Sequence, residues 1–68
     1  MKVNSVFKGP AYTIVVSDVK LPPNFIGKLV KIGDKTYEVT GVALQDDYSF
    51  KVNKDPNINS GQTIEILN

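Results

Sequence analysis

The stretch GKLVKIGDKTYEVTGV, residues 27–42, sets two apolar pairs, Val30 with Ile32 and Tyr37 with Val39, on either side of a Gly33-Asp34 corner. Apolar residues at every second position mark a half-buried strand, and a Gly-Asp pair between two such runs marks a hairpin. With Gly33-Asp34 as a two-residue turn, glycine leads as type II′ geometry requires and Val30 pairs with Tyr37. With the turn at Asp34-Lys35, Val30 pairs with Val39 and Ile32 with Tyr37. Both registers keep the four apolar side chains on one face, so the hairpin stands under either. Past Val39 the next apolar residues are Val42 and Leu44, an odd step that predicts a β-bulge at Thr40-Gly41.

Outward from this hairpin, strand signals repeat in both directions. In PAYTIVVSDVKLPP, residues 10–23, Tyr12, Ile14 and Val16 alternate with Thr13, Val15 and Ser17, and the former set is taken as the inward one. A weaker alternation over Met1 to Val6 ends at Gly9-Pro10, and Pro22-Pro23 opens a connecting loop with room for one short helical turn. Downstream, Gln45-Asp46-Asp47 links Leu44 to Tyr48, Phe50 and Val52, leaving Asp47, Ser49 and Lys51 toward water. GQTIEILN, residues 61–68, supplies a last strand with Ile64 and Ile66 inward. No segment of ten or more residues has helical spacing behind a helix-starting residue. The expectation is one all-β domain over residues 1–68, a small antiparallel five- or six-stranded barrel or sandwich of SH3-like or OB-like type, without substantial helix. Its predicted core is Val6, Tyr12, Ile14, Val16, Val30, Ile32, Tyr37, Val39, Val42, Leu44, Phe50, Val52, Ile64 and Ile66.

Composition narrows the chemistry. A chain of 68 residues, 41% apolar and 22% charged, folds around one core with roughly 3–5 kcal/mol in hand. Cysteine is absent, so no disulfide or thiolate metal site exists within it, and the absence of histidine removes the commonest general base and transition-metal ligand. Nucleophile-histidine triads are therefore impossible within this chain. Eight lysines, no arginine and seven acids leave a net charge of +1, too little to argue for nucleic acid or an anionic membrane. There is neither an apolar run of 18 residues nor a signal-peptide pattern, so a cytoplasmic or virion-associated protein is expected.

VNKDPNINSG, residues 52–61, places Asn53, Asp55, Asn57 and Asn59 at alternate positions, spaced like the early ligands of a calcium loop. Such a loop needs glycine at its sixth position and a bidentate carboxylate at its twelfth, which here are Ile58 and Ile64. The stretch reads as a turn with no metal, held by Ile58. Adjacent Asp46 and Asp47 point apart on a hairpin and read as a solvated turn, and Lys20 and Lys35 read as exposed charge. The aromatics Tyr12, Phe25, Tyr37, Tyr48 and Phe50, with Lys28, Lys31, Lys35, Lys51 and Lys54, form a nucleic-acid alternative, weakened because most of the aromatics fall in the inward phase. Phe25 either caps an open end of the fold or anchors a partner. Two loops are thus the candidate recognition elements: one with Asn24 and Phe25, the other with Lys54, Asp55, Asn57 and Asn59.

Residues 27–42, with an apolar strand, a Gly-Asp turn and then Tyr-x-Val-x-Gly-Val, resemble hairpins in two groups of small barrels. These are the SH3-like barrels of phage head-tail connector proteins and the second domain of translation GTPases. The resemblance covers 16 of the 68 positions and implies a barrel that acts by contact, often inside a larger assembly. The expected function is a non-enzymatic binding or structural module working through protein–protein contact, by self-association or within a phage or bacterial assembly. No catalytic, cofactor-binding or metal residue, small-molecule substrate or membrane partner is expected. A nucleic-acid-binding barrel and a small inhibitor or accessory protein of a virus or plasmid are the alternatives.

Overall fold

A computed structural model describes residues 1–42, 46–53 and 57–67. Its strands are β1 (Val3–Lys8), β2 (Tyr12–Ser17), β3 (Leu29–Ile32), β4 (Lys35–Glu38), β5 (Gly41–Val42), β6 (Ser49–Asn53) and β7 (Ile64–Ile66), with no helix among the described residues. They form two antiparallel sheets, β1-β2-β6-β5 and β4-β3-β7. The fold is a small all-β sandwich, as the alternation predicts.

The hairpin of residues 27–42 takes the first of its two registers. Val30 faces Tyr37 and Ile32 faces Lys35, so Gly33 and Asp34 are the two turn residues. Gly33 has φ +63°, a left-handed conformation that costs glycine nothing and is adopted by Asn24 alone (φ 58°) among the described non-glycine residues. The bulge expected at Thr40-Gly41 is instead a change of sheet. Val39 N–H donates to the Lys28 carbonyl at 2.9 Å, whereas Thr40 N–H donates to the Lys51 carbonyl of β6 at 2.8 Å. One bent run of chain therefore borders both sheets, and the odd step in the pattern marks where it crosses. A true register shift lies in β1, between Val3 and Ser5.

At the opposite margin the sheets are also joined. Lys2 bridges Thr63, Val3 N–H donates to the Gln62 carbonyl at 2.8 Å, and Ile64 N–H donates to the Met1 carbonyl at 2.7 Å. These bonds satisfy backbone groups that an open sheet would leave facing another chain.

The core comprises Val3, Val15, Phe25, Val30, Ile32, Val39, Phe50, Val52, Ile58 and Ile64. Six of these match the predicted set; the main correction is β2. Its buried side chains are Thr13, Val15 and Ser17, while Tyr12 is 41% exposed and Ile14 and Val16 are only half-buried on the outer face. Ile14, Val15 and Val16 make both faces apolar, so alternation alone cannot choose between them, and a shift of one residue exchanges the faces. Thr13 and Ser17 are buried on the inner face with Val15, in a core where the Phe25 and Phe50 rings meet edge-to-face at 5.2 Å between centroids. Ser17 Oγ accepts from the Val19 N–H at 3.1 Å, and no buried side-chain nitrogen or oxygen among the described residues lacks a partner. Burying these hydroxyls is thus not penalised as an unpaired group would be.

Five further residues depart from the expectation. Val42 and Ile66 lie at the sandwich margins, each more than a third exposed, and Val6 and Tyr37 are half-buried against the core. Ser49, expected toward water, is buried because the Asp46 carboxylate covers it. Leu44 lies outside the described residues.

Candidate interaction surface

The outer face of the four-stranded sheet follows from the registers. Phe7 lies opposite Ile14, Ile14 opposite Lys51, and Lys51 opposite Gly41, a single row across β1, β2, β6 and β5. Val16 between Ser5 and Ser49, and Tyr12 opposite Asn53, flank it on the same face. Phe7 is 73% exposed, the most exposed large apolar side chain among the described residues. With Tyr12, Ile14 and Val16 it forms a contiguous apolar surface that no part of the described chain covers. A sheet face that meets water normally carries polar residues, so a continuous apolar one marks a contact surface.

Lys51 is the charge in this row. Its Nζ lies 4.7 Å from the centroid of the Tyr12 ring, a cation–π arrangement. A side chain at position 41 would crowd it: a Cβ there would meet Lys51 Cε at 3.1 Å and Nζ at 3.6 Å. Gly41 thus leaves the lysine stem room to lie against the sheet. Among the described residues no carboxylate pairs with Lys51. The Asp46 carboxylate is engaged within its own turn, its Oδ1 accepting from Tyr48 N–H and Ser49 N–H, each at 2.8 Å, and its Oδ2 from the Ser49 hydroxyl at 3.2 Å. Those bonds, led by the one from Tyr48, hold its carboxyl below the usual carboxylate range.

At the end of the sandwich an open cleft of about 340 Å³ is bordered by Leu21, Pro22, Pro23, Asn24, Phe25 and Val42. The Leu21 N–H donates to the Asp47 carbonyl at 2.6 Å, and Lys20 pairs with Asp47 at 3.3 Å, tying this loop to the turn before β6. Both charges of that pair are well exposed, so it adds little to stability.

The predicted recognition residues fall in different places. Phe25 is 3% exposed and packs edge-to-face against Phe50 in the core, so it does not protrude as an anchor. Asn24 beside it is exposed with its strained φ. Asn57 and Asn59 are exposed in a loop closed on itself: Asn59 N–H donates to Gln62 Oε1 at 2.8 Å, and Gln62 Nε2 donates to the Asn57 carbonyl at 3.4 Å. Ile58 between them is completely buried and pins the loop. Lys54 and Asp55 lie outside the described residues. The residue that sequence reasoning missed is Phe7. The signal for it was the Val6-Phe7-Lys8 run, which continues β1 beyond the alternation ending at Val6.

No protein-family model, curated protein or solved structure matches the chain. Among the described residues no helix is long and apolar enough to cross a membrane, and no group of three or more metal-ligating side chains converges.

Proposed function

We propose that this chain is a non-enzymatic binding or structural module, SH3-like in its strand arrangement, that works by protein–protein contact through the outer face of its four-stranded sheet. The observation that carries the reading is the uncovered row from Phe7 through Ile14 to Lys51, flanked by Tyr12 and Val16. Aromatic side chains supply large contact area at low entropic cost, and a place within a paired strand fixes the backbone of Tyr12 and Ile14 before any partner arrives. Membership of a phage or bacterial assembly, or an inhibitory role, fits the same surface. The test is affinity capture from extracts of the native host with wild type and with Phe7→Ser/Tyr12→Ser. Proteins retained by wild type and lost by the variant support the reading. Identical retention by both, from a wild type that sediments as a monomer, overturns it.

A second reading has its own observation. Tyr12 stands exposed on the face that holds Lys51, so the objection that the aromatics point inward does not apply to it, and Phe7 adds a second exposed ring. Bases stack on such rings at about 1–3 kcal/mol each. Low-salt titration with single-stranded oligonucleotides tests it: binding that weakens with salt favours it, and no binding at 50 mM salt or below eliminates it.

A further inference from the structure

We infer that the occupant of the Phe7–Ile14–Lys51 face is a segment of a partner protein that presents an Asp or Glu among apolar side chains, its carboxylate meeting the Lys51 ammonium. The inference rests on the reading of this face as a protein-contact surface and adds the chemistry of what it binds. Lys51 sits in the middle of the row, between Ile14 and Gly41, so any partner that covers the apolar side chains covers the ammonium too. An ammonium removed from water without an anionic partner costs several kcal/mol, enough to cancel what the apolar contacts contribute. The Tyr12 ring offsets only part of that, and among the described residues no carboxylate pairs with Lys51, Asp46 having both oxygens engaged. A carboxylate carried by the partner supplies the acceptor that the described row lacks.

Two other occupants fit less well. A second copy placed symmetrically would set each Lys51 against the same row, whose described residues carry no carboxylate to meet it. The area disfavours it as well. Three inter-strand gaps of about 4.8 Å and five residues at about 3.4 Å give a face of roughly 250 Å², against about 800 Å² per partner in a standard complex. An extended segment matches that size. A nucleic-acid strand carries a phosphate at every nucleotide and is held by a groove of several cations, whereas this row has one lysine in a chain of net charge +1.

The experiment selects random twelve-residue peptides by display against the immobilised full chain, then measures chosen peptides by titration. Selected peptides are expected to carry Asp or Glu beside aromatic or aliphatic residues, and to lose at least tenfold in affinity for Phe7→Ala. Lys51→Met, which keeps the apolar stem, should weaken the acidic peptide about tenfold or more. The same peptide with its acid changed to the amide should lose affinity for wild type and bind Lys51→Met at least as well as wild type. Peptides that depend on Phe7 but show no acidic preference and no response to Lys51→Met overturn the inference and leave the contact surface standing. Selected peptides indifferent to Phe7→Ala and Tyr12→Ala, or a selection that yields no binder, overturn the surface reading itself. Salt-dependent binding of a twelve-residue oligothymidylate that is lost in Lys51→Met also overturns the inference, with phosphate as the anion.

Discussion

At the scale of single residues, Asp46 shows how one carboxylate can organise a turn in so small a domain. Its two oxygens receive three hydrogen bonds from Tyr48 and Ser49, and those bonds lower its pKa from the ordinary 3.8. A carboxyl lowered on folding stabilises the native state fully above its ordinary pKa, and the contribution fades as pH falls through the folded value. Thermal unfolding followed from about pH 5 to pH 2 should therefore show a loss of stability that is smaller in Asp46→Asn, whose amide oxygen still accepts but does not titrate. Equal slopes in the two proteins would contradict it. Gly41 makes a different point, through the space it leaves. Gly41→Ala should push Lys51 off the Tyr12 ring, abolishing the upfield ring-current shift of the lysine ε-methylene protons in the NMR spectrum. The change touches no buried apolar side chain, so stability should move by less than about 0.5 kcal/mol.

At the scale of elements, the hairpin at β3 and β4 was legible because local chemistry decides it. Only glycine turns easily at φ +63°, and four apolar side chains fall on one face whichever turn is used. Strand β2 was legible as a strand but not in its orientation, because Ile14, Val15 and Val16 supply apolar groups to both faces. What settles the orientation is distant in sequence: the inner face of β2, Thr13, Val15 and Ser17, is buried in a core that includes the edge-to-face pair of Phe25 and Phe50. The crossing at Val39-Thr40 was visible as a break in phase, yet a bulge and a change of sheet give the same break. The loop before β7 was read correctly in its one apolar residue. Ile58→Ala should cost about 2–5 kcal/mol, comparable to all the stability expected of a 68-residue chain. Circular dichroism should accordingly show the variant largely unfolded at 37 °C, and a midpoint within a few degrees of wild type would contradict that burial.

At the scale of the whole molecule, two sheets joined along both margins leave few open edges, so contact falls to the faces. The candidate site was only partly legible for the same reason that β2 was. Tyr12, Ile14 and Val16 were recognised as an apolar set and assigned to the core, and their exposure is what turns them into a surface. Phe7→Ala should change stability by less than about 0.5 kcal/mol, since the ring is 73% exposed, while removing partner binding. Denaturant unfolding and peptide titration on the same sample separate the two effects. Which face of β2 meets water is the claim on which the rest depends, and the absence of native cysteine makes it open to thiol labelling. The measurement is the native-state labelling rate of Tyr12→Cys against Thr13→Cys. Position 12 should label at nearly the rate of a free thiol and position 13 about a hundredfold more slowly or beyond, gated by unfolding; the reverse order would place the apolar row in the core and contradict the account.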